Sequence, residues 1–546
     1  QWEEAVADKR KRQLESIPKE WLIPPVPKEQ TNVMKRSGDH QYPDVSVLLQ
    51  KLASSEWSAV EVTTAFCKRA VIAHQLASRD DTNCLTEIFV EKALQRAAEL
   101  DEYLKQHGTV IGPLHGLPVS LKDQFQIKGL ETTMGYAAWI GAYATDDAVL
   151  VKLLLQCGAV LYVRTNVPQT LMWGETYNNV FGRCVNPFNT SLTPGGSSGG
   201  EGALIAQHGS LLGVGSDIGG SIRVPSHFCG IYGFKPSSHR MPSFGIVNSL
   251  DGQESVSTSL GPLSVSLSGI KILTQAILEQ QPWRHCPNTV SIPWSQDAYT
   301  LKEHNNGRNL CFGIMWDEGT VKPHPPIARA LELTKRALES AGHQVIEWKG
   351  LRSTEFVAIA RSFFLADGGA DYKASLTTGE PLINNLAPDA DPLDIPAFRQ
   401  PREPLSAYQV WQLNKEMRQL RKAHLDYWES TVSATGTGRP VDALICPVAP
   451  YAAVPHGKTR SSIYTIIWNA LDYPSLVIPV TTVDPALDVK SSRDEFLSSE
   501  DEILYDMYDP EVYKGMPVGI QLVGQTLQEE VVLGIGEIVD GALKST

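Results

Sequence analysis

The chain has 546 residues, of which 42% are hydrophobic and 20% charged, with a formal net charge of −13; that length and balance suit a globular protein whose core needs no disulfide or metal staple. An acidic surface of this kind repels phosphate backbones and anionic lipid headgroups, so it disfavours nucleic-acid and membrane-surface partners. No stretch reaches the roughly 18 uninterrupted apolar residues of a membrane span.

In chain order, residues 1–49 read as an N-terminal extended and helical arm, with mixed charge through Arg12 and no apolar signal core. Gln1 is not an initiator residue, so the chain is expected to continue upstream, a removed leader being one form of that continuation. Residues 23–43 are rich in Pro and polar side chains and read as extended. Helical spacing of apolar residues predicts helices over 58–74 and 91–106, the second stopped by Gly108. Leu117 to Leu121 reads as a short strand. Thr145 is the expected cap of an apolar helix with Asp146 and Asp147 in its first turn; it stops at Gly158, before a strand over 159–164. The same helix, glycine, strand order recurs over 326–348, between Pro326 and Trp348. Such alternation predicts an α/β fold with a largely parallel or mixed sheet.

Two segments read as surface insertions. Residues 385–401 carry four prolines, and residues 484–511 hold ten acidic side chains against two basic ones, the pattern of a solvated loop with a short helix. A long polar helix is predicted over 405–430. With no internal repeat and no composition boundary, residues 50–546 are read as one large domain. The eight cysteines form no CxxC pair, and the adjacent His285 and Cys286 are answered by no second pair at ligand spacing. This predicts buried, reduced thiols, no metal site and a cytoplasmic protein.

The segment from Gly195 to Pro225 is the informative one. Ten of the 26 residues from 195 to 220 are glycine, a density that implies backbone turning tightly or approaching a ligand. A flexible linker does not fit, because Ala203 to Ala206 and Leu211 to Val214 are apolar. The dinucleotide fingerprint fails at Ile218, and no Gly-Lys-Ser/Thr follows to make a phosphate loop. A nucleophile elbow matches at Gly196-Ser197-Ser198-Gly199-Gly200 and would make Ser198 the nucleophile, although the strand that should precede it is poor. Helix capping by Ser197 or Ser198 is the structural alternative.

Gly195 to Ser226, in particular GGSSGG followed by GxGxDxGGSIRxP, resembles the signature of the amidase signature family position by position. Gly116 to Asp123, Thr165 to Gln169, Val185 to Pro187, Tyr473 to Pro479 and Pro517 to Gly524 extend the resemblance over most of the chain from about residue 50. The N-terminal Trp2-Glu-Glu and Ile17 to Trp21 are similar, more loosely, to fungal acetamidase-type general amidases. The resemblance implies one amidase-signature domain with a mixed sheet sandwiched between helices, and no cofactor. It implies Ser221 as the nucleophile that forms an acyl-enzyme, Ser197 after a cis peptide bond as proton relay, and Lys122 as the base. A lysine can serve only when neutral, which burial promotes. Backbone N–H groups of Ile218, Gly219, Gly220 and Ser221 are then expected to face the oxyanion. Ser198, Asp217 and Arg223 are expected to support them, and Leu171, with Met172 and Trp173, to wall the acyl pocket. His208 and His227 have no part in this arrangement, which needs no imidazole.

The expected activity is hydrolysis of a small aliphatic or aryl carboxamide to carboxylate and ammonia or amine. Carbamate or ester hydrolysis by the same residues is the first alternative, and the glutaminase subunit of a tRNA-dependent amidotransferase the second. A non-catalytic binding protein is disfavoured by the presence of all three functional groups. Homodimerisation is an expectation carried by the resemblance alone.

Overall fold

The computed structural model describes residues 1–22, 44–75, 82–386 and 402–545; the extended arm over 23–43 and the prolines of 388–401 lie outside the described residues. Among the described residues thirteen strands form in chain order. They are β1 (Leu85–Ile88), β2 (Pro118–Lys122), β3 (Val160–Thr165), the short β4 (Tyr177–Asn178) and β5 (Gly182–Arg183), β6 (Leu212–Asp217), β7 (Tyr232–Lys235) and β8 (Ser259–Ser264). After these come β9 (Cys311–Ile314), β10 (Gln344–Glu347), β11 (Ala443–Pro447), β12 (Ser475–Thr482) and β13 (Pro517–Val523). All but β4 and β5 join one eleven-stranded sheet in the order β1-β3-β2-β6-β8-β7-β12-β13-β11-β9-β10.

The sheet is mixed. β3, β2 and β6 are mutually parallel, as are β10, β9 and β11, while the central strands from β6 to β11 pair antiparallel. β2, β3, β6, β11 and β13 are buried along their whole length, which is why they read as nearly continuous small and apolar runs rather than as alternating ones. The predicted helices form over Ala59–Gln75 and Val90–His107, and Gly108 ends the latter in the left-handed region at φ +66°. The long polar helix spans Ala407–Ser430, and the 326–348 unit resolves into helix Pro325–Ser340 and β10. A helix over Val45–Ala53 runs across position 49.

Two expectations need correction. The helix before Gly158 starts at Val149, not at Thr145. Asp147 instead accepts the Lys128 N–H, and the Ala148 N–H bonds to Gln126, so tertiary hydrogen bonds hold the stretch extended for three further residues. The acidic 484–511 segment does contain a helix, Ser499–Met507, but it is not merely a solvated loop. Asp488 and Asp501 are buried; the first pairs with Arg329 at 2.7 Å and the second with Arg493.

The N-terminal helix Trp2–Glu15 docks through apolar contacts, Trp2 and Val6 packing with Ala137, Val180 and Phe181, and through buried charge. Lys9 is buried with Nζ 2.5 Å from both Glu87 and Glu131, and Arg12 reaches Glu131 at 3.1 Å. Arg164 pairs with Glu87 at 2.5 Å and approaches Asp123 at 3.7 Å. Three buried or half-buried carboxylates are thus matched by three cations, two of which the arm supplies; a buried charge left without its partner is strongly destabilising.

Candidate active site

β2 and β6 are parallel neighbours, with Ser120 beside Gly213 and Leu121 beside Val214, so their C-terminal ends emerge side by side. Lys122 is the last residue of β2 and is 0% exposed. Its Nζ donates to Ser197 Oγ at 2.7 Å and to Ser216 Oγ at 2.8 Å. Burial pushes the Lys122 pKa down from 10.5 to about 7, against the opposing pull of Asp217 and Glu201. A half-neutral amine inside the protein at neutral pH follows, where a solvated lysine would hold roughly one part in a few thousand in that form.

Glu201, on the helix Gly199–Ala206, sits behind this amine. It accepts from Ser120 Oγ at 2.6 Å and from Thr165 Oγ1 at 2.9 Å. Burial raises its carboxyl to about 7. The helix can lie this close because β6 has glycine at 213, where a Cβ would fall 2.0 Å from Glu201 Oε2. Ser197 follows Gly196 through a cis peptide bond, and a Cβ on Gly196 would lie 2.5 Å from the Glu175 carbonyl. Ser198 occupies the cap position of the helix, but its side chain makes no capping hydrogen bond. Its hydroxyl instead donates to the Ser216 carbonyl at 3.4 Å, and its N–H to the Ser221 carbonyl at 3.1 Å. The capping alternative is not what these serines do.

The turn after β6 is organised by one carboxylate. Asp217 accepts the N–H groups of Gly220 (2.9 Å), Ile222 (3.1 Å) and Arg223 (3.4 Å), and also the Asn469 amide at 2.9 Å. Arg223 meets it through Nε at 3.0 Å and Nη2 at 2.9 Å. Burial pushes the Asp217 pKa up, but the Arg223 charge and these hydrogen bonds prevail and hold it well below the usual carboxylate range. Arg223 is itself completed by the Thr465 carbonyl (3.0 Å), Gln521 (3.2 Å) and Asn469 (2.6 Å). The pair is fully buried and hydrogen-bonded, unlike a surface salt bridge. Gly220 is required at this bend: its φ is +134°, and a Cβ would stand 2.6 Å from Thr465 Oγ1. The Gly220 N–H is committed to Asp217 rather than to the cavity.

Ile218, Gly219, Gly220 and Ser221 line a cavity of about 1010 Å³, together with Gly196 and with Leu171, Met172 and Trp173. Ser221 is 8% exposed, whereas Ser197 and Lys122 lie deeper. His227 stands apart from this group; its ring bonds to the Tyr451 carbonyl and receives the Gly519 N–H, both at 3.0 Å, and burial pushes its pKa down to about 4. His208 does not line the cavity. Among the described residues, no group of three or more His, Cys, Asp or Glu side chains is placed to hold a metal ion, and no helix is long and apolar enough to cross a membrane.

Sequence reasoning did not single out Ser216, Glu201, Thr465, Asn469 or Gln521. Glu201 and Ser216 lie within Gly195 to Ser226 and Gln521 within Pro517 to Gly524, the stretches that carry the resemblance, whereas Thr465 and Asn469 lie in none of them.

The amidase family model matches residues 61–533. The chain is similar to the acetamidase of Aspergillus oryzae, with 41% identity over 549 residues covering 98% of both chains. It is likewise similar to the acetamidase of Emericella nidulans, at 41% over 551 residues, 98% of this chain and 97% of that one. Among solved structures, fatty acid amide hydrolase superposes with a TM-score of 0.88 at 32% identity, covering 100% of this chain and 95% of that one. With near-full-length relatives, a family match across most of its length and the same mixed-sheet architecture, the chain belongs to the amidase signature family and is an enzyme that hydrolyses amides.

Proposed function

We propose that the enzyme cleaves carboxamides through an acyl-enzyme on Ser221, with Ser197 and Lys122 moving the protons. A serine hydroxyl is a poor nucleophile until a neighbour removes its proton. In this reading, Ser221 Oγ attacks the carbonyl carbon as its proton passes to Ser197 Oγ, while the Ser197 proton passes to the neutral amine of Lys122. The tetrahedral oxyanion is met by N–H donors from Ile218, Gly219 and Ser221, each worth about 3 kcal/mol in a dry site. On collapse the carbon–nitrogen bond breaks, and the proton returns through Ser197 to the departing amine. Water then repeats the sequence on the ester and frees the carboxylate. One observation carries the reading: a fully buried lysine amine lies 2.7 Å from Ser197 Oγ, with its pKa pushed down to about 7.

The names of the two relatives favour a small aliphatic amide as substrate. The cavity of about 1010 Å³ is of the size that takes ligands much larger than acetamide, which favours longer or aryl acyl groups. Ammonia release from acetamide, butanamide, hexanamide, phenylacetamide and ethyl carbamate tests this. All four amides are expected to react, with kcat/KM rising roughly threefold per buried methylene from acetamide to hexanamide. Release confined to the carbamate would replace the amide reading with the urethane one.

A further inference from the structure

The cavity that reaches Ser221 is apolar along part of its wall and cationic along another. Arg361, Lys458 and Arg460 all line it, and the carboxylates that line it are Glu500 and Glu175. Glu175 is already matched: it accepts the Gly457 N–H at 2.9 Å and the Thr459 N–H at 3.2 Å, with Arg183 at 3.8 Å. That leaves three cations against Glu500, which lies 3.7 Å from Arg460.

Arg361 is the cation set most directly for a ligand. It is on the helix Ser353–Phe364, and its hydrogen bond to a described residue is long, 3.5 Å from Nη2 to Ser462 Oγ. Among the described residues no carboxylate lies within ion-pair distance of it. Its side chain is exposed, yet desolvation lowers its pKa from the usual guanidinium value against the opposing pull of Glu500. That combination fits a cation facing a deep cavity rather than open water. One helix touches both Arg361 and the turn that carries Ser221. Ser462 precedes the helix Ile463–Ala470, and Thr465 on that helix donates to the Gly219 carbonyl at 2.6 Å. Three residues of helix separate the two contacts, about 4.5 Å along the axis. Ser221 and Arg361 line the same cavity, so an acyl chain extending from Ser221 along that wall meets the guanidinium.

We propose that this cationic wall binds an anionic end of the substrate, so that the favoured amides are monoamides of short dicarboxylic acids, with the carboxylate held by Arg361. A guanidinium presents a planar fork that matches a carboxylate, and the pair is strengthened where water is scarce. The inference rests on the amidase reading above and goes beyond it by naming the far end of the acyl group.

The test compares ammonia release from the monoamides of succinic, glutaric and adipic acid with release from the methyl-terminated amides of matching chain length. It is made in the wild type and in Arg361→Gln. In the wild type at least one carboxylate-terminated substrate is expected to exceed its neutral partner about tenfold in kcat/KM. In Arg361→Gln that ratio is expected to fall to about one or below. Because each ratio is taken within one enzyme, a general loss of folded protein cancels. A wild type that turns over the neutral amides and disfavours the carboxylate at every length would overturn this inference and leave the amidase reading standing. A preference that survives in Arg361→Gln would overturn it too. No release from any amide would overturn both.

Discussion

Ser221→Ala is expected to lower kcat/KM for every carboxamide substrate by roughly 10⁴-fold or more, the scale of loss when a nucleophile acting as part of a unit is removed. The folded state should survive. What ties residue 221 to its surroundings is its backbone carbonyl, which accepts the Ser198 N–H at 3.1 Å, and alanine retains it. The change in stability is accordingly expected to stay within about 1 kcal/mol by thermal or urea unfolding. Ser198→Ala is the informative contrast. Its hydroxyl makes only a 3.4 Å contact to the Ser216 carbonyl, so most of the activity should persist. The nucleophile-elbow reading requires the reverse, with acylation lost at residue 198 and kept at residue 221.

Lys122→Met is expected to reduce kcat/KM at pH 7–8 by roughly 10³-fold, within the range attributed to a positioned general base. Its effect on stability should have the opposite sign. The lysine is charged in the unfolded chain and, with its folded pKa pushed down to about 7, about half neutral in the folded one at that pH. Unfolding therefore takes up a proton between about pH 7 and the unfolded value near 10.5, and wild-type stability from this residue rises with pH across that window. Methionine has similar length and no charge to desolvate, so the variant should be more stable than the wild type at pH 7, and the margin should shrink toward pH 10. A fall in kcat/KM accompanied by lower stability at pH 7 would instead mark residue 122 as a structural cation.

How much of this was legible in the chain varies with the kind of contact. Helices such as Ala59–Gln75 and Val90–His107 announce themselves through local periodicity and a terminal glycine. The glycine-rich segment was legible because its glycines answer to steric facts: Gly196, Gly213 and Gly220 each leave no room for a Cβ. Partnerships across the fold were not legible. Arg223 is completed by Thr465, Asn469 and Gln521, which lie 242 to 298 residues along the chain, and no local pattern in either segment encodes the other. Ser216 becomes a partner of Lys122 only because β2 and β6, separated by about ninety residues, are neighbours in the sheet. The acidic segment misled for a related reason, since Asp488 and Asp501 find Arg329 and Arg493 and are buried despite a composition that suggests solvent.

The claim on which the mechanism depends is that an uncharged lysine amine starts the reaction. The pH dependence of kcat/KM for a neutral amide such as hexanamide reads the free enzyme's base directly. It should rise with pH through a midpoint of about 7 and level off above it. In Glu201→Gln, which removes a carboxylate that is about half ionised near pH 7 and favours the ammonium form to that extent, the midpoint should move slightly to lower pH. A profile that stays flat from pH 5 to 9, or one still climbing toward pH 10, would contradict the account, because the first needs no such base and the second places the amine in water.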